Sequence, residues 1–121
     1  EHVLIGQLDT VILRPIPSLY FKFAFVGAPC GLITGNQYIL NGGFSLRRRS
    51  IMLEITTTHP GNGEDAEDIY FTRILRAKRF PIPTIQEAMA FCAETLVCNK
   101  VYGPVGIHGT TKYWIPSRQM E

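Results

Sequence analysis

The sequence predicts an α/β domain, because apolar strand-like segments come first, amphipathic helical segments follow, and the first apolar run ends in an acid. Residues 3–8 form a mostly apolar run of the kind that is buried on both faces of a sheet, so we expect a central strand there. Apolar residues at helical spacing begin after residue 50. In open α/β sheets, ligands bind beyond the carboxyl ends of strands, and Asp9 lies at such an end. We therefore expect a sheet flanked by helices, with a binding site near Asp9.

The composition fits one globular domain, residues 1–121, with 45% hydrophobic residues to form a core. A net charge of +2 is too small to indicate binding to nucleic acid or to an anionic membrane. No apolar run reaches 18 residues, so no membrane span is predicted within these residues. The chain starts at Glu1 and enters an apolar run at once, which indicates a piece of a longer protein. Any membrane anchor would then lie before Glu1.

The cysteines are odd in number and show no C-x-x-C spacing that would indicate zinc. Cys30, Cys92 and Cys98 are therefore either isolated, partly buried thiols or include one disulfide formed in a secretory compartment.

Three further extended segments are predicted. Residues 11–13 continue from the first strand until two prolines interrupt the chain. Residues 21–26 alternate phenylalanines with other side chains, which is typical of a strand. Residues 30–41 are predicted to be a loop, and residues 104–108 a short extended piece near the end of the chain.

The helices are predicted from capping residues and apolar spacing. Ser45 is a candidate N-cap for a first helix, and Asp65 can cap a second helix over residues 66–78. Thr84 and Glu87 have the T-x-x-E spacing of a capping box, which predicts a third helix from Ile85 to about residue 96.

The run "NGGFSLRRR", residues 41–49, is the least ordinary stretch of the sequence. Two adjacent glycines are costly to order, so the bare backbone must serve a purpose. A hairpin turn, a phosphate cradle and a basic nucleic-acid face are three possible interpretations. Three arginines without interleaved aromatic residues are weak support for nucleic-acid binding.

Other residues could carry chemistry. Asp9 could hold a divalent cation, or could cap a turn. The acids at residues 64–68 suit a helix N-terminus, and one of them could act as a general base. His108 in "GIHG" could bind metal or phosphate, or could be a surface residue.

The order of these pieces resembles a glycosyltransferase-like family of domains of unknown function. The matching segments are GQLDT (6–10), VGAP (26–29), NGGFSLR (41–47), EDIYF (67–71), AMAFCAE (88–94) and PVGIH (104–108). The resemblance covers nearly the whole chain, and the ordered set of motifs is specific.

The series is also similar to the C-terminal half of a GT-A glycosyltransferase, which implies a partial GT-A-like, Rossmann-like mixed sheet. The resemblance implies transfer of a sugar from a nucleotide-sugar donor to a hydroxyl group of a glycan or other acceptor. Asp9 and His108 would hold Mn²⁺ or Mg²⁺ on the donor diphosphate. Asp68, with Glu67 beside it, would take the proton of the acceptor hydroxyl.

The same resemblance assigns substrate binding to a further set of residues: Gln7, Asn41, Gly42, Gly43, Phe44 and Arg47. The two glycines would let a sugar approach the backbone closely, with Phe44 packed beneath it. Gln7 departs from the family's motif, which has a carboxylate at this position, and an amide binds metal less tightly. This departure favours the alternative function, a catalytically inactive sugar-binding module with the same fold.

The expected partners are small molecules and glycans, with no nucleic acid. The expected compartment is the secretory pathway, in the Golgi, or the cytoplasm. The nucleotide-binding half of a GT-A enzyme would precede Glu1, so residues 1–121 alone are expected to show no transferase turnover and to associate through unpaired strands.

Overall fold

The computed structural model describes residues 1–30, 38–94 and 103–109. It shows a mixed α/β fold, which confirms the predicted class. The strands, in chain order, are β1 His2–Gly6, β2 Thr10–Ile12, β3 Phe25–Cys30, β4 Ile39–Arg48, β5 Cys92–Glu94 and β6 Gly106–His108. The α-helices among the described residues are α1 Arg49–Thr58, α2 Glu67–Ala77 and α3 Ile85–Phe91, and a short 3-10 helix covers Ser18–Lys22.

The strands form two small sheets. The first has the order β1-β4-β3 and is antiparallel throughout. The second has the order β2-β6-β5, in which β6 is antiparallel to β2 and parallel to β5. Strand β6 therefore lies between a strand from the beginning of the chain and a strand that follows α3.

The core lies on both faces of the first sheet. Consecutive residues Phe25 and Val26 belong to different apolar clusters, as expected where side chains alternate across a strand. One cluster joins the first sheet to α3 and β5, with the ring of Phe44 in β4 stacked on that of Phe91 in α3 at a centroid distance of 5.0 Å. The other joins it to α1 and α2 through residues such as Ile55 and Leu75.

The first strand differs from its prediction. β1 is an edge strand of its sheet among the described strands, because it pairs only with β4. Val3 and Leu4 are consequently 38% and 42% exposed, although the apolar run predicted burial on both faces. Further along, β2 covers Thr10–Ile12, which confirms the predicted extended segment 11–13 except for its last residue.

Two predictions for residues 21–41 are wrong in part. The predicted strand 21–26 is divided between the 3-10 helix and β3, because Phe21 and Lys22 belong to the helical turn. The predicted loop 30–41 overlaps the end of β3 and the start of β4, while residues 31–37 lie outside the described residues.

The Asn-Gly-Gly stretch lies within β4, so its interpretation as a hairpin turn is wrong. Ser45 is also part of β4 and is buried, so it does not cap α1; the N-cap is Arg48. The first helix itself is confirmed, with Ile51 and Ile55 on its buried side.

The second and third helices are confirmed, with changes at their ends. The N-cap of α2 is Ala66 rather than Asp65. The predicted capping box of α3 is present: Thr84 Oγ1 accepts a hydrogen bond from the Glu87 backbone, and the Glu87 side chain accepts from Thr84 N. However, α3 ends at Phe91, where the chain turns into β5; residues 95 and 96 lie outside the described residues.

Other features complete the description. The extended piece predicted at residues 104–108 is confirmed in part, because β6 covers Gly106–His108. Cys30 is a half-buried free thiol, and Cys98 lies outside the described residues. Within the part of the chain that the structure describes, no helix is long and apolar enough to cross a membrane.

Candidate functional site

Strand pairing in the second sheet brings together acids from opposite ends of the chain around His108. In the register of this sheet, His108 lies opposite Thr10 on one side and beside Glu94 on the other. Asp9 immediately precedes β2, so it is carried to the same end of the sheet. His108 itself is only 5% exposed.

Both ring nitrogens of His108 face oxygen atoms. Nδ1 lies 2.5 Å from Oε1 of Glu94. Nε2 lies 2.9 Å from Oε1 of Gln7 and 3.3 Å from Oδ1 of Asp9. The predicted proximity of Asp9 and His108 is thus confirmed, across nearly the whole length of the chain. We call these four residues the His108 cluster.

An irregularity in β4 makes room for this cluster. Between the pairs Gly27↔Ser45 and Pro29↔Leu40, β3 advances by two residues while β4 advances by five, so β4 bulges there. Gly43 lies in this bulge, and a Cβ atom at this position would overlap the His108 ring. The glycine therefore provides space for the imidazole of this same chain.

The backbone of the bulge also fixes the turn that carries Gln7 and Asp9. The carbonyl of Gly43 accepts a hydrogen bond from the Gln7 backbone at 2.8 Å and one from the Thr10 hydroxyl at 3.4 Å. Gly109 N, just after β6, donates to the Asp9 carbonyl at 3.1 Å. The segment between β1 and β2 is thus held from both sides.

The cluster has donor atoms that could hold a divalent cation. Imidazole nitrogen, carboxylate oxygen and amide oxygen are all metal ligands, and here Nε2 of His108, Oδ1 of Asp9 and Oε1 of Gln7 converge. Among the described residues, no group of three or more His, Cys, Asp or Glu is arranged to hold a metal ion. Gln7 would therefore have to serve as the third protein ligand.

The acids at the start of α2 lie on the other side of the bulge. Glu67 makes a two-pronged ion pair with Arg47, with both N–O distances 2.6 Å. Arg47 is buried, lies 4.6 Å above the ring of Phe25, and donates to Ser45 Oγ and to the Gly42 carbonyl. A Cβ atom at Gly42 would overlap Glu67, so this glycine too provides space for a side chain of the same chain.

Asp68 faces the bulge through its carboxylate. Its Oδ2 accepts a hydrogen bond from Gly42 N at 3.4 Å, and its Oδ1 accepts from Ile69 N at 2.9 Å. Of the two predicted base residues, Asp68 is therefore the one whose carboxylate is not in an ion pair with Arg47.

Cys30 lies at the end of β3, and its thiol is sensitive to both groups of acids. The pKa of the Cys30 thiol is raised to about 11, chiefly by burial and then by the negative charges of Asp68 and Glu94, while a hydrogen bond with Asn41 acts in the opposite direction. The start of α2 contacts Gly42 and the His108 cluster contacts Gly43, so the two groups of acids meet at adjacent residues of the bulge.

The structure therefore brings the site residues predicted from the sequence together in one region. The surroundings of Gly42, Gly43 and Phe44 differ from those expected for direct contact with a sugar. The spaces beside Gly42 and Gly43 are filled by side chains of this chain, and Phe44 is fully buried. Contact of any of these residues with a sugar stays a prediction.

Sequence reasoning missed two members of the region, Cys30 and Glu94. Glu94 ends the segment AMAFCAE, which the sequence assigned to a helix, and its short strand forms only by pairing with β6. The signal that could have identified Glu94 is its place at the end of AMAFCAE, one of the segments that carry the family resemblance.

A separate apolar cavity of about 240 Å³ lies between β1 and α1. Its lining includes Val3, Ile5, Met52 and Leu53, and Arg47 and Phe71 also line it. None of the residues of the His108 cluster lines this cavity.

Comparison with known proteins gives a family for this chain. No curated protein and no solved structure matches it. The sequence pattern of one family matches residues 1–108, a stretch that includes every residue of the region around the bulge. The chain therefore belongs to the family described as "Protein of unknown function (DUF5672)".

Proposed function

We propose that this chain is a glycosyltransferase-like domain that transfers a sugar from a nucleotide-sugar donor to a hydroxyl acceptor. The observation that carries the proposal is the 3.3 Å approach of Asp9 to Nε2 of His108. The similarity of motif order to GT-A enzymes implies the same pairing independently. The proposal includes the finer assignment of the fold, namely that the domain corresponds to the C-terminal half of a GT-A enzyme.

Donor binding is assigned to the His108 cluster. Asp9, His108 and Gln7 present the nitrogen and oxygen atoms that would hold Mn²⁺ or Mg²⁺. When bound, such a cation neutralises the negative charge that develops on the leaving diphosphate. The chain's own contribution is to hold these three donors close together, through the strand pairing of β6 with β2 and the backbone contacts of Gly43.

Acceptor activation is assigned to Asp68. As the acceptor oxygen attacks the anomeric carbon, Asp68 takes the hydroxyl proton, and the bond from that carbon to the diphosphate oxygen breaks. Glu67 is less suited to this role, because both of its carboxylate oxygens contact Arg47. Arg47 and Glu67 instead support the start of α2, from which Asp68 projects.

Sugar binding is assigned to the backbone around residues 41–43. The amide N–H of Gly42 already contacts Asp68, so a sugar hydroxyl in this region would lie beside the proposed base. Phe44 packs beneath the bulge against Phe91, as a supporting residue rather than a direct contact.

One observation favours the alternative, an inactive sugar-binding module. Gln7 offers a neutral amide oxygen where the related motif has a carboxylate, so the cluster has one negative charge fewer for a cation. A module of this kind would bind sugar without dependence on metal.

The two functions are separated by calorimetric titration of the full-length protein with UDP and with GDP, each with and without MnCl₂. Transfer predicts that a nucleotide binds only when Mn²⁺ is present, and that His108→Gln loses this binding. His59→Gln is the matched control, because His59 lies at the end of α1, away from the cluster. If neither nucleotide binds in the presence of Mn²⁺, or if both histidine variants bind as well as wild type, the proposed function is wrong.

A further inference from the structure

The contact between Glu94 and His108 has no part in the functional roles assigned above. Glu94 is 7% exposed and ends the three-residue strand β5. The parallel register places it directly beside His108, and its Oε1 lies 2.5 Å from Nδ1. A carboxylate buried to this extent needs a hydrogen-bond donor, and the imidazole N–H supplies one.

This contact determines which ring nitrogen is available for the other residues. A carboxylate is only an acceptor, so the proton of the ring must lie on Nδ1 where it meets Glu94. Nε2 then points toward the oxygens of Gln7 and Asp9. Three atoms that can donate electron pairs converge at this point, which is an arrangement that suits a divalent cation.

The opposite side of the ring is also constrained. The ring lies against the backbone of Gly43, where even a Cβ atom would overlap it. The hydrogen bond to Glu94 fixes the rotation of the imidazole about the Cβ–Cγ bond of His108. The bulge of β4 limits the displacement of the imidazole toward Gly43. His108 is therefore held in one orientation by contacts from two different sheets.

We propose that Glu94 is a positioning residue, which fixes the orientation and the proton-bearing nitrogen of His108 so that Nε2 can bind a divalent cation together with Asp9 and Gln7. This inference deepens the proposed function and rests on it for the identity of the ligand. Carboxylates that accept a hydrogen bond from the far nitrogen of a metal-binding histidine orient the ring and make it a stronger donor. Removal of such a carboxylate typically weakens metal binding by about 10–100-fold.

The test combines two measurements on the full-length protein. The first is the affinity for Mn²⁺ alone, measured for wild type, Glu94→Gln and Glu94→Ala. The second is the ¹⁵N spectrum of the histidine rings without metal, with the His108 signals assigned by their loss in His108→Gln. We expect Nδ1 of His108 to carry a proton in wild type and the proton to exchange between the two nitrogens in Glu94→Ala.

The two Glu94 variants are expected to differ. Glu94→Ala should weaken Mn²⁺ binding by about 10–100-fold. Glu94→Gln should weaken it less, because the amide oxygen still accepts a hydrogen bond from Nδ1 and the side chain has the same size. If Glu94→Ala does not fold, the Gln variant and the wild-type spectrum still decide the matter.

The outcomes distinguish this inference from the proposed function. Equal Mn²⁺ affinity in all three proteins, or a wild-type His108 whose Nδ1 carries no proton, overturns the role of Glu94 and leaves the transferase proposal standing. If wild type binds no Mn²⁺ but its ring proton is fixed on Nδ1 and released in Glu94→Ala, the positioning role is supported and the metal part of the proposed function fails.

Discussion

The imidazole ring of His108 occupies the space in which a side chain at residue 43 would lie. The second glycine of the Asn-Gly-Gly stretch is thus required by a residue near the other end of the described chain. Residue 43 must therefore be a glycine for the His108 ring to occupy its position, and substitution of Gly43 should change the stability of the fold.

Gly43→Ala should destabilise the fold, because the new methyl group must displace either the ring or the β4 backbone. Overpacking of this kind typically costs about 1–3 kcal/mol in the free energy of unfolding. Urea denaturation measures the change. Gly61→Ala is the matched control, since a Cβ there would make only ordinary contact with Tyr70; it should stay within about 0.5 kcal/mol of wild type. Equal effects of the two substitutions would contradict the packing argument.

On the proposed function, Asp68→Asn should lower kcat of the full-length protein by about 10²–10⁴-fold while donor affinity stays nearly unchanged, because acid–base assistance acts on the transition state. Asp9→Ala should weaken metal and donor binding first. Turnover and donor affinity are measured on both variants, with circular dichroism as the folding control. A near-normal kcat in Asp68→Asn would leave this residue only as an acid at a helix N-terminus.

Glu67→Gln should destabilise the protein although Glu67 itself is more than half exposed, because it leaves the guanidinium of Arg47 buried without its carboxylate. The Gln amide has one acceptor oxygen where Glu has two, so one of the Arg47 N–H groups loses its acceptor, and an unsatisfied buried donor costs about 1–3 kcal/mol. The matched control is Asp65→Asn, which breaks the exposed ion pair with Arg73 and should cost less than about 1 kcal/mol. Thermal and urea unfolding of both variants test the difference. If the control is destabilised as much as Glu67→Gln, burial of Arg47 is not the cause.

Cys30 should react slowly with iodoacetamide near neutral pH, because burial, followed by the charges of Asp68 and Glu94, raises its pKa from 9.0 to about 11. This shift lowers the thiolate fraction near pH 8 by roughly 100-fold. Peptide mapping by mass spectrometry follows Cys30 alone, and protein unfolded in urea gives the reference rate. Asp68→Asn should increase the labelling rate, because it removes a negative charge that raises the pKa of Cys30. An unchanged rate would show that the charge of Asp68 does not affect the thiol.

The raised pKa of Cys30 also predicts how the free energy of unfolding changes with pH. Since the folded-state pKa of Cys30 lies above the unfolded value, its contribution is complete below about pH 9 and is lost as the pH rises toward 11. Unfolding measured from pH 8 to 11 should show this decrease in wild type and a smaller one in Cys30→Ala.

The parts of the fold that depend on local sequence are predicted well. The capping box of Thr84 and Glu87 and the apolar spacing of α1 act within one or two helical turns, so they can be identified without the rest of the chain. The proximity of Asp9 and His108 is also predicted, but from similarity in motif order rather than from any local pattern.

The strand assignments that the sequence did not predict depend on pairing with strands that are distant in sequence. Two adjacent glycines lower strand propensity, so the Asn-Gly-Gly stretch by itself favours a loop or turn. It lies within a strand because the residues of β4 on either side of it pair with β1 and β3. The apolar run of β1 does not reveal that one of its sides has no paired strand among the described residues. Glu94 is missed because the end of α3 cannot be located without β6.

The pairing of β2 with β6 has a consequence for protein synthesis. Gln7 and His108 are 101 positions apart, so this contact closes almost the entire described chain into a loop. During translation, chains emerge from their N-terminal end at about 5–20 residues per second. Gln7, Asp9 and Glu94 are therefore synthesised before His108, and the His108 cluster cannot form in a nascent chain until β6 has emerged from the ribosome.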